Sequence, residues 1–396
     1  MTTATPTKFK KTEIGLIPEE WDVFFAEDYC DRVADGTHDS PKQVLDGKYL
    51  ITSKHLKNNR IDFSSAYHIS EEDFKNIIKR SGVSYGNVLF SMIGTVGEVC
   101  LVSSVVIDFA IKNIGLFKSK SFDSGKWLYY FLKSSQAKEY LESHLAGSTQ
   151  QYLTLETLRK YPIVVPPVAE QKEIAEILSS LDDKIELNRK INANLEKLAS
   201  SLFKKWFVDI EDELPEGWRI GTFGEAVENF DSKRIPLSSM ERKPGSYPYY
   251  GATSIMDYVE DYIFDGTYVL LGEDGSVAKE DGKPFVQYVH GKMWVNNHAH
   301  VLQGKNGFST EYIKVFLDQV DIMPFVTGAV QPKLNQANMN SVPMVIPDQK
   351  TLGRFNEILT ALFRMILENE SQTKNIEQVR DSLLPRLMSG KIRVKI

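Results

Sequence analysis

Cysteine is nearly missing: Cys30 and Cys100 are the only two in 396 residues. They cannot build a disulfide framework or a thiolate metal cluster, and two thiols in a reducing compartment is the simpler reading. No run nears the roughly eighteen apolar residues of a membrane span. The opening stretch, Met1 to Lys11, is polar and lacks a signal-peptide core. A soluble, cytoplasmic protein is expected. Phosphate-binding glycine patterns are missing too, both Gly-x-x-x-x-Gly-Lys-Ser/Thr and Gly-x-Gly-x-x-Gly, so no nucleotide or dinucleotide site has a motif. Among seven histidines there is no His-Glu-x-x-His, and His298-Ala299-His300 lacks thiols or a third spaced ligand. Asp265 with Asp281-Gly282-Lys283 is too loosely spaced for a metal-nuclease pattern, and its glycines read as turns. Nor is there an Asn-Pro-Pro-Tyr motif of amino-methyltransferases. The chain therefore reads as non-catalytic, with no metal and no cofactor of its own.

A basic surplus is also absent, since net charge is −6. Its distribution softens the argument against a polyanionic partner. Residues 1–160 hold 20 basic and 20 acidic residues, 347–396 hold 9 and 6, and the acidity lies in 211–346 with 11 and 19. A nucleic-acid face must then be a local patch.

What the chain does have is a repeat. Gly147-Ser148-Thr149-Gln150 is answered by Gly328-Ala329-Val330-Gln331, Glu176-Ile177-Leu178 by Glu357-Ile358-Leu359, and Ser201-Leu202 by Ser382-Leu383, all at one offset of 181. Upstream the match is looser: Pro18-Glu19-Glu20-Trp21 answers Pro215-Glu216-Gly217-Trp218 at 197, and Gly94-Thr95-Val96-Gly97 is set against Gly272-Glu273-Asp274-Gly275 at 178. Divergent heads on uniform stalks are expected to read different things.

The stalks show heptad periodicity. After Pro166-Pro167 the seam runs Ile174, Leu178, Leu181, Ile185, Asn188, Asn192, Leu195, Ala199, Leu202, Trp206. Its repeat runs Phe355, Leu359, Leu362, Ile366, Asn369, Thr373, Ile376, Arg380, Leu383, Leu387. Asn188 and Asn369 occupy equivalent a positions, either as register-fixing residues or as a solvated turn. Each helix spans nearly forty residues, about 55 Å, and the second is expected to shorten at Pro385. The division is 1–165 first head, 166–210 central helical spacer, 211–346 second head and 347–396 C-terminal helical spacer. With heads at both ends, antiparallel helices are expected. The heads read as mixed α/β, with short strands (88–90, 99–102, 268–271, 299–302) and a helix over 126–145 or 310–320 before each Gly-x-x-Gln loop.

Polar side chains suited to base edges cluster at three places. The loops offer Ser148, Thr149, Gln150 and Gln151 in the first head, and Gln331, Lys333 and Asn335 in the second; a tight turn satisfying its own backbone is the alternative. Thr52, Ser53, Lys54, Lys57 and Arg60 form a basic-polar cluster, with Tyr249, Tyr250 and Thr253 at the same place in the second head. Asn296 and Asn297 answer Lys112 and Asn113.

Taken in order, Thr12 to Trp21, Leu214-Pro215-Glu216-Gly217-Trp218, Pro166 to Ala175 and Gly328 to Asn335 resemble the specificity subunits of type I restriction-modification systems over nearly the full length. The resemblance implies two α/β target recognition domains joined by two long antiparallel coiled-coil helices. It implies that each domain reads half of a bipartite, asymmetric site in double-stranded DNA. The helices would act as a ruler and as a dock for two modification subunits, which bring S-adenosylmethionine and adenine methylation. Nuclease and translocase activity, with ATP and Mg, would reside in a restriction subunit. The second head has only a short alternative to Asp35-Gly36-Thr37-His38-Asp39-Ser40-Pro41, so base contacts need not transfer between heads. A self-sufficient nuclease and a coiled-coil adaptor without DNA affinity are the competing readings.

Overall fold

The computed structural model describes residues 7–57, 59–147, 151–210, 213–328 and 330–395. They form two compact units: residues 1–186 with 373–396, and residues 187–372. Both units are mixed α/β, as the sequence leads one to expect.

The first unit holds two sheets of more than two strands among the described residues. In the larger, Val99–Leu101, Val88–Ser91, Ile114–Lys118 and Arg32–Asp35 lie side by side and antiparallel. Val88–Ser91 is buried at every position, as a continuous apolar run in mid-sheet should be. The smaller sheet orders Phe109–Ile111, Lys48–Ile51 and Tyr67–Ile69, and the first two strands are parallel. Against the larger sheet packs Phe122–Lys133, whose Trp127, Leu128, Tyr130 and Phe131 are all buried. The single helix expected over 126–145 is two helices, Phe122–Lys133 and Ser135–Ser143. Ser134 breaks it: its backbone is extended and its side chain accepts from Ala137 N, capping the second helix.

The second unit holds one six-stranded sheet, in the order Val227–Asn229, Ala299–Gly304, Phe264–Gly272, Val286–Val295, Pro244–Tyr250 and Ile255–Val259. Thr310–Leu317 packs on it, capped by Ser309. A short strand pair recurs in both units, Asp22–Phe25 with Pro162–Val165 and Arg219–Thr222 with Pro343–Ile346. Each pair leads directly into a long helix.

Those helices run Val168–Phe203, extended by a π-helical turn Lys204–Val208, and Gln349–Met388. They are antiparallel in each unit, since partner numbers fall as helix numbers rise. In the first unit Asp182 accepts from Arg380 Nη1 at 2.7 Å, while Leu387 and Met388 share a core with Ile174 and Leu178. In the second, Asn188 meets Gln372, Asn192 meets Ile366, and the rings of Phe203 and Phe355 lie 6.1 Å apart. The two expected register residues both act across the pair: Asn188 Nδ2 donates to Gln372 Oε1 at 2.9 Å, and Asn369 Nδ2 donates to Asn192 Oδ1 at 2.8 Å. The helix does not shorten at Pro385. It continues to Met388, because burial of Leu387 and Met388 outweighs the one lost backbone bond.

Each helix start is tied to the tryptophan that opens its head. Trp21 Nε1 donates to Glu170 Oε2 at 2.9 Å, and Arg393 donates to both oxygens of that buried carboxylate, from Nε at 2.6 Å and Nη2 at 2.9 Å. Trp218 Nε1 donates at 3.0 Å to Asp348. Both cysteines are free and buried, and burial pushes each thiol up to about 12.

Candidate nucleic-acid interface

In the first unit two parallel strands end together. Lys48–Ile51 runs beside Phe109–Ile111, and Lys112 N donates to Ile51 O at 2.8 Å. Beyond Ile51 the chain makes one 3-10 turn, Ser53–His55, with Thr52 as its cap. Ser53 Oγ donates to Asn113 O at 3.3 Å. Thr52, Ser53 and Asn113 therefore converge, with Lys54 exposed beside them. Asn113 has φ 54, a left-handed conformation that asparagine tolerates better than most residues. The rest of that cluster turns elsewhere. Lys57 lies 3.4 Å from Asp62, and Arg60 is ion-paired with Glu186 of the first long helix.

The second unit repeats the geometry with other side chains. Tyr249 and Tyr250 run parallel to Trp294 and Val295, and Asn296 N donates to Tyr250 O at 3.0 Å. Asn297 is thus the counterpart of Asn113, as their sequence context suggests. Two expected contact residues are corrected here. Tyr249 is 1% exposed, its hydroxyl held by Leu237 N at 3.0 Å and its ring covered by Arg242, so it belongs to the core. Asn296 is 3% exposed and its Oδ1 accepts from His298 N at 2.8 Å, which makes it a turn residue. Tyr250 is half-buried, while Thr253 and Asn297 are exposed.

The described residues that flank the Gly-x-x-Gln loops pair in the same way. Ala146 bridges Tyr152 and Thr327 bridges Lys333; Ile93 bridges Tyr152 and Asp274 bridges Lys333. Every pair differs by 181, so Gly94 (φ 80) corresponds to Gly275 (φ 78), and the offset of 178 read for that turn is corrected. Gly147 and Gly328 hold φ 92 and 89, and a Cβ at Gly328 would sit 2.2 Å from Gln331 O. Ser148, Thr149 and Gln150 lie outside the described residues; Gln151 is exposed. Gln331 Nε2 donates to Asp274 Oδ1 at 2.8 Å, and Lys333 Nζ is 3.8 Å from Glu273. Asn335 caps the short helix Gln336–Asn340, accepting from Asn338 N at 2.8 Å, so its side chain is committed to the fold.

Beneath the second loop lies a buried ion network with no obvious sequence signature. Asp231, Glu273 and His300 bring ligand-type atoms within 4.8 Å of one another. Arg234 occupies the middle, donating to Glu273 Oε2 at 2.6 Å and Ala299 O at 2.7 Å. His300 is 2.5 Å from Asp231 through Nδ1, and its Nε2 donates to Leu334 O at 2.7 Å. Burial alone would raise the Asp231 carboxyl, but hydrogen bonds from His300, Asn229 and Val301 hold it below its ordinary value. Asp265 and Asp281 do not converge: Asp265 lies at the start of Phe264–Gly272, and Asp281 lies beyond its end.

The sequence matches the family described as "Type I restriction modification DNA specificity domain" twice, over residues 18–197 and 215–378. The chain belongs to this family. The type I restriction enzyme MjaIX specificity subunit of Methanocaldococcus jannaschii is 28% identical over 427 aligned residues, covering 98% of this chain and 97% of its own. The type I restriction enzyme HindI specificity subunit of Haemophilus influenzae is 21% identical, covering 67% of this chain and 77% of its own. Among solved structures, the type I restriction-modification S subunit from M. genitalium shares the fold at TM-score 0.56 and 17% identity, covering 99% of this chain and all of that one. The two family segments match the internal repeat: each begins beside the tryptophan of one head and ends within a long helix. No helix among the described residues is long and apolar enough to cross a membrane. Sequence reading missed Asp231, Arg234 and Glu273 because their partners come from distant strands. The hint available was His300, a polar residue in the apolar first half of the strand Ala299–Gly304.

Proposed function

We propose that this specificity subunit directs a type I restriction-modification complex to a bipartite, asymmetric DNA site, with one half read by each unit. The observation that carries the reading is the repeated edge. In both units parallel strands end at an asparagine, Asn113 or Asn297, beside a loop held to the same turn, while the surrounding side chains differ. A shared scaffold with changed polar groups is what independent reading of two sequences requires. The subunit itself is non-catalytic. Two modification subunits dock along the helices and carry S-adenosylmethionine and the adenine chemistry; a restriction subunit carries ATP and Mg. The charge balance agrees with this division, since partners then supply much of the phosphate contact.

The test is an exchange of residues 18–160 for those of another specificity subunit, followed by mapping of adenine methylation in a host that also expresses the modification subunit. One half of the methylated motif should change and the other should persist. Change in both halves, or in neither, would overturn independent reading. Incubating the purified chain with DNA and Mg²⁺ separates the self-sufficient nuclease, which would cut.

A further inference from the structure

Asp35 ends the edge strand that opens its sheet and Asp231 lies two residues past the corresponding edge strand, and each meets a basic side chain three residues on. His38 Nε2 lies 2.9 Å from Asp35 Oδ2, and Arg234 Nη2 lies 3.4 Å from Asp231 Oδ2. Both aspartates and both bases are separated by 196 positions, close to the offset of the opening tryptophans. A second basic side chain completes each clamp: Arg80 on Asp35, His300 on Asp231. The bases then diverge. Arg234 is 12% exposed and turns inward onto Glu273 and Ala299 O. His38 is 65% exposed and turns outward, its Nδ1 2.8 Å from Asn113 Oδ1.

The backbone makes that outward turn possible. Thr37 N donates to Ile111 O at 3.0 Å and Asn113 N donates to Thr37 O at 3.2 Å, so the Asp35–His38 segment lies flat against the strand end. Gly36 permits the approach, since a Cβ there would meet Ile111 O at 2.4 Å. The result is a chain of three groups: a carboxylate that is 4% exposed, an imidazole, and an amide at the protein surface.

We propose that Asn113 reads the major-groove edge of an adenine in the half-site of the first unit, with Asp35 and His38 as its positioning residues. The chemistry follows from the donor inventory. Asp35 takes the Nε2 hydrogen of His38. Nδ1 faces the amide oxygen, to which a ring protonated on both nitrogens donates; with the amide turned over, a neutral ring accepts one N–H instead. In either case Asn113 keeps one N–H and one oxygen lone pair, which match the N7 acceptor and N6 donor of adenine. Held by its ring contact and left-handed backbone, the amide loses little rotational freedom on binding. In the second unit Arg234 is turned inward and no basic side chain among the described residues holds Asn297 in this way, so the two heads do not read by one code.

This proposal rests on the DNA-reading role above, and one experiment separates the two. Adenine methylation is mapped in cells expressing the modification subunit with wild type, Asn113→Gly, His38→Ala or the double variant. Glycine suits the left-handed backbone, and His38 is exposed, so neither change threatens the fold. Asn113→Gly should reduce discrimination at one position of one half-site by about 5- to 150-fold. His38→Ala should relax the same position less, and add nothing on the glycine background. A wild type that methylates a bipartite motif, with both variants leaving that position unchanged, overturns this proposal alone. His38→Ala lowering methylation evenly at all sites, or relaxing a different position, also overturns it. A wild type with no bipartite motif overturns the parent reading.

Discussion

Replacing Arg393 with alanine should loosen the first unit and leave the second intact. Glu170 is 1% exposed in its side chain, and both its oxygens are met by Arg393. After Arg393→Ala, the Trp21 indole at 2.9 Å is the one remaining donor among these contacts. Removing one member of a buried pair costs about 3–5 kcal/mol, because the other charge stays desolvated. Arg393 is 30% exposed, so water can enter the space it leaves and the lower end applies, about 3 kcal/mol. Native-state hydrogen exchange gives the cleanest assay, since it reports each unit separately. Amides of Val88–Ser91 and of residues 163–165 should exchange roughly 150-fold faster, while those of Phe264–Gly272 should not change. Glu170→Gln should recover part of the loss on the Arg393→Ala background, as a neutral amide is cheaper to bury. A cost below about 1 kcal/mol would mean that the carboxylate is not desolvated, and the reasoning would fail.

Substituting leucine for both Asn188 and Asn369 should raise the urea midpoint of the second unit while allowing the helix pair more than one register, read by site-directed crosslinking; a lower midpoint with one register retained would contradict it. The depressed pKa of Asp231 contributes stability that is present above its unfolded value near 3.8 and is lost as pH falls through the lower folded value. Acid melts should therefore show the second unit weakening below that pH in wild type and less so in Asp231→Asn; parallel curves would disprove the linkage. Gln331→Ala removes the bond to Asp274 and should relax the second half-site alone in the methylation map if the side chain also reaches a base. An unchanged motif would leave Gln331 as a loop tie.

The architecture was legible because its signals are periodic. Heptads from Ile174 to Trp206 and from Phe355 to Leu387, repeated at 181, announce two helices and two heads before any coordinates. Strands such as Val88–Ser91 follow from unbroken apolar runs. The failures have local causes. A serine inside a helical pattern, Ser134, became a cap because tertiary packing favours a turn there. Pro385 was expected to stop a helix that buried side chains carry past it. The interface was legible in outline only. Sequence context pairs Asn113 with Asn297, and both follow equivalent strand ends, yet Tyr249 and Asn335 look identical on paper to exposed contact residues. Burial of one and capping by the other depend on strands and turns that sequence spacing does not encode.

The first unit is discontinuous, and that orders its assembly on the ribosome. Its core unites Trp21 and Trp127 with Leu387 and Met388, whereas residues 187–372 contain every segment of the second unit. Chains emerge at about 5–20 residues per second and fold domain by domain. The later-encoded unit therefore completes first, and the earlier one waits, with Glu170 lacking its arginine, until Arg393 leaves the exit tunnel. During that interval Ile174 and Leu178 lack the buried side chains of Leu387 and Met388, and the nascent head is the part of the molecule most in need of a chaperone.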